Sequence, residues 1–321
     1  MRSLPPLLSV VVTTYSKDRL PDLFALLESL KVQTYPHLEI LFVGEGSEQL
    51  CEKVQDYTEH HTMPNVTALF NSGEPGLSSA RNIGIRRAAG EIIAFLDDDT
   101  LAFPDWAHHT VAALAREAVA GITGPALPLW EDPQMDWFPE ELYWILSCTG
   151  WSGWDQVRDV RNAWGMNCAF RRQVFETVGL FRTQTGYHKG LFAEDNEFSL
   201  RVRLRTGKRI LYVPHARVWH RVRRYRLSWS FMRKRAYWIG RSRRHLLQVF
   251  APHQEGPAFL HQEHELLQRI VRRRIPTDLA NVLSDPSRAM RRLAVTAWAL
   301  LFVGLGYYTP TRADGAQLQP T

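Results

Sequence analysis

Cysteine is scarce in this chain. Its 321 residues contain three, Cys51, Cys148 and Cys168, widely separated and without a CxxC pair. That excludes a disulfide framework and a cysteine-built zinc site, and a reducing cytoplasm is the expected compartment. Long apolar runs are missing as well. The one membrane-like stretch, "LAVTAWALLFVGLGYY" at 293–308, has sixteen residues, short of the roughly 20 that span a bilayer. The opening "MRSLPPLLSVVVTTYS" has no extended apolar core and no small-residue cleavage site, so a first buried strand is expected there rather than a signal peptide. No internal repeat or low-complexity tract is visible. With 45% hydrophobic and 22% charged residues, nothing points to global disorder. The length allows one large domain, or one domain with an appendage.

Acidic residues are also missing from one long stretch. From Arg201 to Arg244 there are sixteen Lys or Arg and no Asp or Glu, and the whole chain carries +6. Such a balance favours anionic partners: nucleotides, nucleic acid or an acidic membrane surface. The basic run matches no helix-turn-helix, RRM or zinc-finger pattern, which argues against nucleic acid. A plainly solvated basic face is the bland alternative.

The first hundred residues alternate regularly. "LLSVVVTTY" is a continuous β-branched apolar run of the kind a strand buried on both faces requires. "LPDLFALLESLKVQ" places Leu23, Leu26, Leu27 and Leu30 at helical spacing. "LEILFVG", "VTALFN" and "EIIAFLD" read as further strands, separated by the helical "SEQLCEKVQDYTEHH" and "LSSARNIGIRRAAG". Strand and helix in alternation predict an α/β fold with a parallel sheet. Ligands of such sheets gather at the carboxyl ends of the strands, where "TTYS", "GEGS" and "DDDT" fall. Beyond residue 100, "LPLWEDPQMDWFPEELYWILSCTGWSGWD" has no clean period and reads as an irregular, aromatic-lined loop.

Three successive carboxylates at a strand end need an explanation. Asp97 and Asp99 project to one side and Asp98 to the other. Two carboxylates on one side would share a hard cation such as Mg²⁺ or Mn²⁺. A solvated acidic turn is the alternative for an isolated triplet. Glu194 and Asp195, in "AEDNEFSLRVR", open an amphipathic helix whose dipole favours negative charge; simple N-terminal capping is the competing role.

Together these segments resemble the family 2 glycosyltransferases, inverting enzymes with the GT-A fold, over residues 7 to about 245. The motifs are "SVVVTTYSKDRLPDLFALLESLKVQTYPHLEILFVGEGS", "GLSSARNIGIRRAAGEIIAFLDDDT", "WGMNCAFRRQVFETVGLF" and "AEDNEFSLRVRLRTGKRILYVPHARVWH", in that order. The resemblance implies a Rossmann-like, mostly parallel sheet flanked by helices. It implies Asp99 as principal metal ligand with Asp97 or Asp98 in support, and His220 near the metal or diphosphate, with His215 as its nearby competitor. It implies Asp195 as the general base that deprotonates the acceptor hydroxyl, with Glu194 beside it. Thr13, Tyr15, Glu45, Arg81, Asp97 and Asp98 are the implied nucleotide-sugar contacts. Trp164, Gly165 and Asn167 are expected to line the acceptor side. Trp130, Trp137, Trp144, Trp151 and Trp154 either stack on sugars or pack in a core or against lipid. Asn82 either contacts diphosphate or braces its helix, and Arg235 and Arg241 are further diphosphate candidates. "VGEGS" departs from the family's "VDDGS": Gly44 replaces the first Asp and Glu45 the second, which puts the base preference in doubt.

The expected function is therefore transfer of a sugar from a nucleoside-diphosphate donor, a UDP-sugar first among them, to a glycan or lipid-linked acceptor with Mg²⁺ or Mn²⁺. The expected domains are 1–245, with a nucleotide-sugar half (1–100) and an acceptor and catalytic half (101–245), and a helical extension, 246–321. Within the extension, 288–308 is read as membrane-associating, because basic "SRAMRR" flanks an apolar run. This gives a peripheral position at the cytoplasmic face of a membrane; a packed terminal helix with no lipid contact is the competing account. Two alternatives stand beside it: an arginine-rich nucleic-acid-binding module, and a catalytically inactive relative that only binds a nucleotide sugar.

Overall fold

The computed structural model describes residues 5–149, 154–183, 194–250 and 260–309. They form two compact units, one of residues 5–127, 154–183 and 194–220, the other of 128–149, 221–250 and 260–309. The units do not part at residue 245. Leu142, Ile145 and Leu146 share one apolar cluster with Val222, Met232, Val295 and Ala299, so the aromatic stretch and the late helices belong together.

The first unit holds an eight-stranded mixed sheet. Strands β1 (Leu8–Thr14), β2 (Leu38–Glu45), β3 (Val66–Asn71) and β4 (Ile92–Asp97) pair in parallel, in the order β3-β2-β1-β4. The crossovers are α1 (Leu20–Lys31), α2 (Glu48–His60) and α3 (Leu77–Arg87). This is the alternation read from the sequence. Leu23, Leu26, Leu27 and Leu30 are buried as the helical spacing requires. The β1–β4 register sets Thr13 beside Asp97, so the "TTYS" segment and the acid triplet emerge from one end of the sheet.

The sheet continues through β9 (Asn167–Arg171), β6 (Val119–Thr123), β10 (Arg209–Tyr212) and β8 (Arg158–Val160). β9 runs antiparallel to both β4 and β6, with Leu96 opposite Asn167. Helices α4 (Trp106–Leu114), α5 (Arg172–Val178) and α6 (Glu194–Thr206) complete the unit. A three-stranded sheet has the order β5 (Thr100–Ala102), β11 (Val218–Val222), β7 (Ala126–Trp130). β11 pairs antiparallel with β5 and sets His220 opposite Thr100, one residue past the acid triplet.

In the second unit, residues 133–137 and 140–146 form 3₁₀ turns where an irregular loop was expected. Trp130, Trp137 and Trp144 pack against the apolar cluster of that unit, which is the core alternative for these rings. Trp151 lies outside the described residues. Among the described residues, α7 (Trp229–Phe250), α8 (His261–Arg269), α9 (Ile275–Ala280) and α10 (Pro286–Tyr308) follow. The last begins seven residues before the apolar run itself. At 23 residues it is long and apolar enough to cross a membrane by length and composition.

Candidate active site

β4 ends at Asp97, and Asp98 and Asp99 form the tight turn into β5. The turn splits the three side chains. Asp97, Asp99 and His220 each offer a donor atom, all within 4.8 Å of one another. His220 is buried, with Nε2 3.2 Å from Asp99 Oδ1. Two carboxylate oxygens and an imidazole nitrogen suit a hard-to-borderline dication such as Mg²⁺ or Mn²⁺. His215 is exposed and lies against His109, with ring centroids 5.2 Å apart, so it is not in this cluster.

Asp98 turns the other way, into the protein. Thr14 Oγ1 donates to its Oδ2, and Arg19 Nη1 donates to its Oδ1 at 2.5 Å. Burial pushes the Asp98 carboxyl up to about 6; Arg19 works against that rise, and neighbouring Asp99 adds to it. Arg19 also reaches Asp99 Oδ2 at 3.4 Å. Burial disfavours its charge, yet the two carboxylates hold its pKa above the ordinary arginine value. Sequence reading missed both Arg19 and Thr14. The available signal was chemical: three carboxylates at a buried strand end require a counter-charge, and the loop after the adjacent strand, "TTYSKDR", carries one.

Arg81, on α3, is 3% exposed. Its guanidinium reaches Asp97 at 3.3 Å, Glu194 at 3.5 Å and the Gly165 carbonyl at 3.0 Å. Burial opposes its charge, but Asp97 and then Glu194 outweigh it and raise the pKa. The fork therefore joins the acid cluster to the start of α6. A Cβ on residue 165 would sit 2.8 Å from Arg81 Nη2, so a larger residue there would displace the guanidinium from its present position.

The Gly165 N–H in turn donates to Asp195 Oδ2 at 3.0 Å. The Asn196 backbone and side-chain N–H groups donate to Asp195 Oδ1 at 2.7 and 3.1 Å. A carboxylate has about four lone-pair sites. Three are taken here, which fixes the group while leaving room for one more donor. Burial, with Asp195 adding to it, pushes Glu194 up to about 6 despite Arg81.

The remaining sequence candidates are spread around these groups. Tyr15 is 68% exposed just past β1, with Arg19 Cζ 5.6 Å from its ring centre. Glu45, at the end of β2, accepts from the Gly76 N–H with both oxygens, at 3.2 and 3.3 Å. Trp164 packs edge-on against Tyr212, with Trp154 alongside. Asn167 is placed in the interior, not on an acceptor-facing surface. Its Oδ1 accepts from Trp106 Nε1 at 2.9 Å, and its Nδ2 donates to the carbonyls of Ala216 and Pro125. A fully buried amide must satisfy its polar atoms within the protein, and this one braces β9 against three other segments. Asn82 likewise exchanges both its amide bonds with the Phe181 backbone. Within the basic run, Arg201 pairs with Glu197, Arg203 with Asp159, and Arg235 donates to Ser147.

A family model described as glycosyl transferase family 2 matches residues 9–179. A glucosyl-dolichyl phosphate glucuronosyltransferase of Haloferax volcanii is 32% identical over 304 residues, covering 93% of this chain and 94% of that protein. Among solved structures, the mannosyltransferase PcManGT from Pyrobaculum calidifontis, in complex with GDP-Man and Mn²⁺, superposes with a TM-score of 0.61. That match has 21% identity and covers 93% of this chain and 87% of that one. GalNAc-T7 with UDP, GalNAc and Mn²⁺ gives a TM-score of 0.52 at 18% identity, over 74% of this chain and 48% of that one. An α/β sheet whose strand ends gather these carboxylates is the GT-A arrangement, and the chain belongs to glycosyl transferase family 2.

Proposed function

We propose that this glycosyltransferase is inverting and metal-dependent, moving a sugar from a nucleoside-diphosphate donor onto a hydroxyl of a lipid-linked glycan. One observation carries the reading. The donor cluster of Asp97, Asp99 and His220 is tied through Arg81 to Glu194, next to a carboxylate held by three N–H bonds.

Asp97, Asp99 and His220 would hold Mg²⁺ or Mn²⁺, which when bound neutralises charge on the departing diphosphate. Thr14 and Arg19 keep Asp98 turned away from that cluster. Thr13, Tyr15 and Glu45, at or just past the ends of β1 and β2, would meet the nucleoside. Asp195 accepts the acceptor hydroxyl's proton as that oxygen attacks, because an unassisted sugar hydroxyl is a poor nucleophile near neutral pH. A single base with direct displacement inverts the anomeric carbon. Trp164 and the Gly165 backbone border Asp195 and would meet the acceptor.

The lipid-linked acceptor is supported by the Haloferax relative, whose name specifies a glucosyl-dolichyl phosphate. Such an acceptor calls for a peripheral position at a membrane. Three free, buried cysteines fit its cytoplasmic, reducing face.

The test is Asp195→Asn. It should keep Mn²⁺-dependent donor binding while transfer falls by about 100-fold or more, the scale of general base catalysis. Product NMR on the wild type should show the anomeric configuration reversed from the donor. Transfer near the wild-type rate in Asp195→Asn would remove Asp195 as the base, and retained configuration would remove the inverting mechanism.

A further inference from the structure

We infer that the second unit binds an anionic lipid surface through one face of α10, with the helix lying in the plane of the interface instead of crossing the bilayer. This deepens the reading above, on which it rests for the acceptor's place in lipid; the contact itself is measurable without turnover.

The first observation is a stripe. Met290, Ala294, Ala297, Leu301, Leu305 and Tyr308 are all exposed. They recur every three or four residues, so they share one face of α10. The opposite face is used: Val295, Ala299 and Gly306 are buried. An apolar stripe along the outer side of a 23-residue helix is more than scattered surface apolarity.

The second observation concerns α7. It flanks the apolar half of α10 from the Trp229–Trp298 ring contact to the bond from Arg244 Nη1 to the Tyr307 carbonyl. Two glycines let the helices touch at their backbones. A Cβ on Gly240 would lie 2.1 Å from the Val303 carbonyl oxygen, and one on Gly306 1.9 Å from that of Tyr237. Were α10 to span a bilayer, α7 would be carried in with it. That helix bears Arg233, Lys234, Arg235, Arg241, Arg243 and Arg244, and arginine in hydrocarbon is strongly disfavoured. The pair can expose the α10 stripe to lipid and keep the α7 charges in water or at headgroups only by lying flat.

The third observation is charge. Residues 221–309 contain seventeen Lys or Arg against five Asp or Glu, in a chain whose total is +6. Arg272, Arg273 and Arg291 are exposed. An apolar stripe on a helix that itself exposes Arg291, in a unit with this basic excess, fits an anionic headgroup layer, the pattern of an interfacial amphipathic helix.

Full-length protein is mixed with phosphatidylcholine vesicles with or without phosphatidylglycerol, and sedimented. Wild type should sediment with the anionic vesicles. Leu301→Glu/Leu305→Glu, at exposed positions, should lose affinity by about tenfold or more while keeping Mn²⁺-dependent donor binding. Arg272→Glu/Arg273→Glu should weaken binding only to the anionic vesicles. Depth is read from a bimane on Leu301→Cys, the native cysteines being buried. Spin labels near the headgroup should quench it more than labels near the chain ends. Stronger quenching from the chain ends means a spanning helix and overturns the in-plane placement. No vesicle binding, or a stripe-dependent dimer in sedimentation analysis that leaves vesicle binding unchanged in the variant, overturns the lipid contact. Loss of donor binding by wild type would instead count against the catalytic reading alone.

Discussion

Glu194 shows how a single carboxylate serves the site at a cost. It lies against Arg81 with 14% of its side chain exposed, and its pKa is pushed from 4.5 up to about 6, first by burial and then by Asp195. A carboxyl raised in this way binds its proton more tightly in the folded chain than in the unfolded one. Its contribution to stability is complete below pH about 4.5 and is lost as pH rises through about 6, a change of about 2 kcal/mol. Urea unfolding across that window should show wild type losing about this much stability relative to Glu194→Gln. Parallel pH profiles for the two proteins would mean that Glu194 is not strained by its surroundings. The ionised form is retained because Arg81 needs a partner on each side, and that fork is what connects Asp97 with the Gly165 peptide that holds Asp195.

At the scale of elements, α7 and α10 give a sharp contrast within two residues. Gly306 faces the Tyr237 carbonyl at a distance no Cβ can share, while a Cβ on Gly304 would meet nothing within 4 Å. Gly306→Ala should destabilise the second unit by about 1–3 kcal/mol as the helices are forced apart. Gly304→Ala should be neutral or stabilise by up to about 1 kcal/mol through helix propensity. Thermal unfolding of the two variants side by side checks this, and equal melting temperatures would contradict the backbone contact. Such contacts are invisible in sequence, where both glycines merely interrupt an apolar run. The β–α alternation, by contrast, was legible throughout the first hundred residues, since burial on both sheet faces dictates continuous apolar strands. The metal-seat geometry was half legible. A strand's two-residue period leads one to expect Asp97 and Asp99 on one side, an outcome that the turn at 98–99 delivers instead. Arg19, however, arrives from a segment 79 residues away from Asp98, and nothing local announces it. Asn167 shows a related limit: the motif marks a polar residue, but not that its amide is buried with three internal bonds.

Across the whole molecule, chemistry and charge are divided. The acid cluster, its two arginines and Asp195 all belong to the first unit, while the excess of basic side chains belongs to the second. Carboxylates that crowd one strand end repel each other and an incoming diphosphate alike. Arg19 and Arg81 offset this only in part, so donor binding should depend on a dication. Isothermal titration of a nucleoside-diphosphate sugar into wild type and Asp99→Ala, each with Mn²⁺ present, tests that dependence most directly. Wild-type protein should bind its donor, with affinity lost when Mn²⁺ is chelated, and Asp99→Ala should bind at least about tenfold more weakly even with Mn²⁺, as expected for a lost metal ligand. Donor binding in Asp99→Ala that matches wild type, or wild-type binding indifferent to chelation, would contradict the account.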